Sequence, residues 1–276
     1  MRLYEFNRTE EGIEREYRPA PRVVVVGLAS CFGCQIQITN REEHLMKIVG
    51  QMDLRYWQLA SSEPMPDEFD VAVIEGAVTT EESLELVHEL RRKAKAIITI
   101  GSCANTAGIP GIAAGEFSIR SFDIYGRNVP SACGDVIKPR SVPSVIDVDY
   151  QVRCCPIDFD DFAVVLLKAL YGSNRRLPNR TMCGDCKRNE TACFFERGEL
   201  CLGLVTAAGC GARCPKLGRP CFGCAGLSTD ANLASARESV CRYGIDPVEF
   251  DERLELFSQT NPILKSYVQE NEGSHD

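Results

Sequence analysis

Cysteine is the residue with which this sequence could do chemistry, and it occurs 15 times in 276 residues. Four of these thiols sit in three short segments far apart in the chain: Cys31 and Cys34 in SCFGC, Cys103 in GSCA, and Cys155 in CCPI. Four thiolates are what a 4Fe-4S cluster requires, and a proline after the last one keeps the chain from continuing around the metal. The same residues would also suit two buried structural thiols, Cys103 and Cys155, beside a Cys31/Cys34 redox pair. A denser set follows: Cys183-x2-Cys186, Cys193, Cys201, Cys210-x3-Cys214-Pro215 and Cys221-x2-Cys224. These suffice for two more 4Fe-4S sites, although paired Cys-x2-Cys units also suit tetrahedral zinc. Cys133 and Cys241 have no partner at ligand spacing, and Cys154 abuts Cys155 too closely to share its cluster. All three are expected to be bystanders.

Other chemistry has little to draw on. The only histidines are His44 and His88, on expected helices, and His275 in the tail, which leaves no histidine triad or histidine metal site. Glu75, in VIEGA, ends an expected strand beside the first thiol group, where it could relay protons or serve as a capping, hydrogen-bonding carboxylate. Gly27 and Gly101 follow strands, but neither opens a G-x-G-x-x-G or G-x4-G-K-[ST] phosphate loop.

The elements that must position these thiols alternate. The run VVVV at 23–26 reads as a buried parallel strand, residues 35–49 as helix, and 54–59 as a second strand. DVAVIEG at 70–76 is a third strand and 80–95 an amphipathic helix with Leu84, Val87, Leu90 and Ala94 on one stripe. AIITIG at 96–101 is a fourth strand; 105–144 reads as an irregular excursion, 145–152 as a strand and 159–171 as a helix. Strands alternating with helices mean an α/β fold with a doubly wound parallel sheet, whose functional loops gather at the carboxyl ends of its strands. The expected divisions are an N-terminal arm over 1–21, the α/β domain over 22–172, and a cysteine-rich domain over 173–276. The boundary lies at Gly172 to Asn179. Between Cys183 and Cys224 apolar periodicity nearly vanishes, so metal clusters are the expected organising centre there, before two or three short helices over 229–270.

A hydrophobic content of 44% can supply a core, and a net charge of -8 argues against a nucleic-acid partner. The strongest apolar run, FAVVLLKAL at 162–170, is broken by Lys168 and is far shorter than the roughly 20 residues a membrane span needs. Residues 1–19 mix charges with no apolar stretch, so no export signal and a cytoplasmic, reducing location are expected, in which abundant thiols serve as metal ligands.

In order, SCFGC, VIEGAV, GSCA, VRCCPI, CGDC, CFFERGELC, AGCGARCPK and PCFGC make the chain resemble the small subunit of cytoplasmic nickel-iron hydrogenases, from about Arg22 to about Ser258. The resemblance implies a flavodoxin-like first domain holding a proximal 4Fe-4S cluster on Cys31, Cys34, Cys103 and Cys155. It implies a medial cluster on Cys210, Cys214, Cys221 and Cys224, and a distal one on Cys183, Cys186, Cys193 and Cys201. Exported members have a histidine where Cys183 stands and a three-iron medial cluster, which Cys210's fourth thiolate would replace here. Cys154 occupies a position usually held by glycine, and the proximal ligand is assigned to Cys155, before the proline. By resemblance the nickel-iron site belongs to a large-subunit partner. This chain then has no catalytic residue of its own beyond the relay role considered for Glu75, and passes electrons to a further flavin- or iron-sulfur-containing subunit. Among the branches, VRCCPID and the helical tail resemble the NAD(P)-linked type more than the methanogen type. The first domain is also similar to the 20-kDa-type subunit of respiratory complex I, which uses adjacent cysteines in its first motif and lacks the eight-cysteine extension. From another class stands a non-enzymatic, zinc-stabilised interaction module.

Overall fold

A computed structural model describes residues 4–9, 12–17, 19–114, 134–171 and 180–272. The expected boundary at 172–179 and Cys133 lie outside them. Within the expected N-terminal arm, β1 (Tyr4–Thr9) and β2 (Gly12–Tyr17) pair as an antiparallel hairpin.

The α/β part then runs β3 (Arg22–Gly27), α1 (Gly33–Thr39), α2 (Glu42–Val49), β4 (Asp53–Trp57), β5 (Val71–Glu75), β6 (Val78–Thr80), α3 (Glu81–Lys93) and β7 (Ala96–Ile100). It continues through α4 (Gly101–Thr106), α5 (Gly108–Gly111), β8 (Val136–Arg140), β9 (Tyr150–Val152) and α6 (Phe159–Tyr171). Strands β4-β3-β5-β7-β9 form one five-stranded sheet, all parallel. In chain order this is the 2-1-3-4-5 arrangement of flavodoxin-like folds, as expected. Short β6 and β8 pair antiparallel beside it, which gives part of the expected irregular excursion a regular structure.

Both faces of the sheet are covered, which is why its strands are continuous β-branched runs rather than alternating ones. Val23, Val25, Val71, Val73, Ile98 and Ile100 pack against Ile38, Ile48, Phe162, Val165 and Leu166 of α1, α2 and α6. Val24, Val26, Ala72, Ile74 and Ile97 face the other way, onto Val87 and Leu90 of α3. Helix α3 begins where Thr80 accepts the Ser83 N–H and the Ser83 hydroxyl accepts that of Thr80, a reciprocal cap. The expected helix over 35–49 is two helices, and the last strand is shorter than expected because Val145 and Ile146 close the 3-10 turn at 142–144, their N–H groups donating to the Val142 carbonyl.

The remainder contains α7 (Cys183–Arg188), α8 (Arg213–Lys216), α9 (Leu233–Arg242), α10 (Pro247–Ser258) and α11 (Pro262–Glu272). Here the structure departs from the expectation that thiols alone organise the segment. Leu200, Leu202 and Val205 join Leu233, Val240, Phe250, Leu254 and Leu264 in a hydrocarbon core of its own. Sparse leucines within the cysteine-rich stretch are enough because the C-terminal helices supply the other wall.

Candidate metal centres

Strand register decides where the first thiols meet. Gly27 lies beside Glu75, Glu75 beside Ile100, and Ile100 beside Val152, so four strands end in one row. Cys31 and Cys34 follow β3, Cys103 follows β7 on α4, and Cys155 follows β9. The structure brings these four together: Cys155 lies in electrostatic range of Cys103 and Cys31, Cys34 of Cys155, and Cys103 of Cys31. Cys34 is buried and Cys103 partly so, whereas Cys31 and Cys155 are exposed.

Glu75 closes this group from below. Its buried carboxylate accepts the backbone N–H of Cys34 at 3.0 Å and of Gln35 at 3.4 Å, which is the hydrogen-bonding role weighed for it from sequence. Gly101, at φ +80°, is needed for close approach: a Cβ there would lie 2.5 Å from the Cys34 sulfur. Asn105 ties the strand ends by donating to the carbonyls of Gly101 at 2.9 Å and Val152 at 2.8 Å.

A second group sits across from the first. Cys214, on α8, lies in electrostatic range of Cys224 and Cys210, and Cys221 in range of Cys201, of the third group, as well as of Cys224. The third comprises Cys183 and Cys186 on α7 with Cys193 and Cys201. The groups adjoin in series. The hydroxyl of Ser102 donates to the carbonyl of Cys224, linking first and second. The N–H of Cys221 donates to the Cys201 sulfur at 3.2 Å, linking second and third.

Cys154 turns away from its neighbour Cys155. It is buried against Ala207 and Ala225, with Cys210 and Cys224 packed on the same patch. Cys241 stands apart on α9, exposed.

Burial sets the proton chemistry. It pushes Cys34 and Cys221 well up, and Cys155 and Cys183 up to about 11, so as bare thiols these stay protonated until a cation replaces the proton. Cys210 moves down to about 6, chiefly because Cys154 donates to it, against burial and with help from the N–H groups of Arg213 and Ala212.

The donor set fits iron-sulfur clusters. Backbone N–H groups meet sulfur at two places: Gly223 donates to Cys221 at 3.5 Å and Cys221 to Cys201 at 3.2 Å. Such donors stabilise the negative charge that cluster sulfurs carry. Among the described residues, no three His, Cys, Asp or Glu side chains form a single-ion site. Gly101, Ser102 and Asn105 were not singled out as site residues from sequence. Their signal was the run of small and polar residues around Cys103 in GSCANT, where bulk would close the space.

Fold and thiols together define the class as a flavodoxin-like, cysteine-rich redox subunit. The chain belongs to the family described as NADH ubiquinone oxidoreductase, 20 Kd subunit, which matches residues 31–169. That match ends before Cys183, and longer relatives cover the rest. One component of the F420-non-reducing hydrogenase vhu of Methanocaldococcus jannaschii is 28% identical over 275 residues, spanning 87% of this chain and 94% of the relative. The NAD-reducing hydrogenase HoxS subunit delta of Cupriavidus necator is 25% identical over 173 residues, spanning 57% of this chain and 82% of the relative. The fold is shared with the nickel-iron-selenium hydrogenase of Desulfomicrobium baculatum, with a TM-score of 0.52 at 17% identity, covering 87% of this chain and 99% of that one. The kinship with nickel-iron hydrogenase small subunits expected from the motif order is what these comparisons return. The leaning toward the NAD(P)-linked branch is not favoured by them, since the alignment with the Methanocaldococcus relative is the longer.

Proposed function

We propose that this chain is the electron-transfer small subunit of a nickel-iron hydrogenase, an oxidoreductase acting on hydrogen whose catalytic site lies on the large subunit. In this reading three 4Fe-4S clusters conduct electrons between that site and a further flavin- or iron-sulfur-containing redox subunit. The proximal cluster is held by Cys31, Cys34, Cys103 and Cys155, the medial by Cys210, Cys214, Cys221 and Cys224, and the distal by Cys183, Cys186, Cys193 and Cys201. The observation that carries this reading is the series contact: Ser102 to Cys224, then Cys221 to Cys201. A relay needs adjoining carriers, whereas separate structural zinc sites would not.

When bound, a 4Fe-4S cluster takes up and gives back one electron at little structural cost. The chain's own residues do the rest. Buried Cys34 and Cys221, the latter with the Gly223 N–H on its sulfur, exclude water and set the electrostatic environment, while exposed Cys31 and Cys155 leave the first site open to a partner. Ile36 and Ile109, 47% and 49% exposed beside that opening, supply apolar area for the large subunit to cover. Glu75, Ala77 and Val78, at the neighbouring strand end, are buried within the chain itself and can add no side-chain area. No helix among the described residues is long and apolar enough to cross a membrane, and a cytoplasmic location is proposed with the rest.

Crosslinking the purified complex tests the arrangement. Large-subunit contacts should fall near Cys31, Ile36 and Ile109, and those of the further redox subunit near residues 183–201. Large-subunit contacts confined to 183–201 would reverse the proximal and distal labels.

A further inference from the structure

Across the molecule cations are held by carboxylates, as Arg22 is by Glu68, Lys93 by Asp67 and Arg237 by Asp251. Arg153, Lys265, Lys138 and Arg140 have no such partner among the described residues, yet they converge on two adjoining cavities. The first, of about 450 Å³, is lined by Arg153, half-buried just after β9, and the second, of about 470 Å³, by Lys138 and Arg140. Lys265, Ser144 and Thr260 belong to both, so the cavities share a wall.

Three separate parts of the fold bring the charges together. Lys138 and Arg140 are two apart on β8 and so lie on one side of it. Arg153 follows β9, and Lys265 stands in the first turn of α11. The chain entering α11 is tied to the α/β part by the Thr260 hydroxyl, which donates to the Thr106 carbonyl at 2.8 Å. In a chain of net charge -8, no Asp or Glu is found among the described residues lining either cavity. No aromatic ring lines them either, so nothing there stacks on a base or a flavin. Like charges gathered in one concavity repel one another and focus a positive field into it, which an anion relieves. One exposed cation is worth little, and it is the convergence that makes a site.

We propose that this cleft, between β8, the segment after β9 and the start of α11, binds a small oxyanion carrying two or more negative charges, of the pyrophosphate or polycarboxylate kind. Arg153 offers a planar fork to two oxygens of one anionic group, and Lys265, on the shared wall, reaches the next. Because Arg153 and Lys138 belong to the α/β part and Lys265 to the C-terminal helices, the anion clamps the two parts together. It does so beside Arg153, two residues before Cys155, and Ala225, which follows Cys224, so it braces the junction of the first and second thiol groups. The site is independent of which metal the thiols hold.

The test is isothermal titration calorimetry of the anaerobically purified complex with inorganic pyrophosphate and, separately, citrate, at an ionic strength fixed with sodium chloride. At least one should bind saturably, weaken as salt rises, and raise the unfolding temperature by mass action. The tighter of the two assigns the phosphoryl or the carboxylate source. Arg153→Gln, Lys265→Gln and Lys138→Gln should each weaken binding about tenfold or more while iron and sulfide stay at the wild-type level. Lys47→Gln, an exposed cation on α2, should change nothing. Lys265 and Lys138 are exposed, so their variants carry the test if Arg153→Gln fails to fold. No saturable binding of either anion would overturn the proposal, as would unchanged affinity in Lys265→Gln. A loss that Lys47→Gln matches would overturn it too, by marking general charge attraction in place of a site.

Discussion

The carboxylate of Glu75, at the end of β5, accepts the backbone N–H of Cys34 across 3.0 Å and thereby couples a strand end to the first turn of α1. The group is 1% exposed, so what replaces it must satisfy two buried donors. Glu75→Ala leaves the Cys34 and Gln35 N–H groups unpaired and should cost about 2–4 kcal/mol, with loss of iron from the first site. Glu75→Gln keeps one acceptor and should lose less, measured by denaturant unfolding and iron content. If Glu75→Gln keeps stability and iron but slows proton-coupled turnover, the proton-relay role follows.

Gly76 shows how tightly the same corner is built. Its φ is +98°, and a Cβ would fall 2.6 Å from the Leu28 carbonyl carbon, a backbone atom that cannot swing away. Gly76→Ala should therefore cost about 3 kcal/mol or more. Gly218, at φ +77° but facing open space, is the control, and Gly218→Ala should cost only about 1 kcal/mol.

Much of this corner was legible in the sequence because parallel strands buried on both faces leave continuous apolar runs, as 23–26 and 96–100 do. Helix α6 has the expected bounds because Asp158 precedes it and its stripe is unbroken from Phe159 to Leu170. The split of 35–49 was not legible. The turn at Asn40 and Arg41 is enforced by no proline or glycine, and Ile38 and Ile48 reach the same core from two helices. The order of the motifs, not spacing, divided the cysteines into three sets, since the first set joins segments far apart in the chain and the eight later thiols could be paired in more than one way. Which way Cys154 points depends on its φ of +89°, and a non-glycine residue in that conformation leaves no mark in sequence.

Acid should act through Asp70, just before β5 at the opposite end of the strands. Burial would raise its pKa, but the Arg22 N–H at 2.9 Å and the Lys95 and Arg22 side chains outweigh it and hold the carboxyl below its usual range. A folded-state pKa below the unfolded value of about 4 means the stabilisation is complete above that pH and is lost as pH falls through the folded pKa. Both cations are partly or largely exposed, which reduces the worth of the pairs. Asp70→Asn should cost about 1–2 kcal/mol at neutral pH and flatten the acid limb of stability, as followed by denaturant titration from pH 7 to 3. An equal loss at pH 3 and pH 7 would remove Asp70 from the explanation.

Individual thiols should separate cleanly. Cys214→Ser, in the second group, should lose about four irons and interrupt conduction, while exposed Cys241→Ser should be silent in both. Cys133→Ser is expected to be silent too. Loss of a cluster in Cys241→Ser would redraw the ligand sets.

The most direct measurement is iron and acid-labile sulfide in protein prepared without oxygen. Three sites of four thiolates predict about 12 iron and about 12 sulfide per chain, with the broad brown absorption of iron-sulfur protein. Stoichiometric zinc with little sulfide, in a colourless protein, would contradict the electron-relay account.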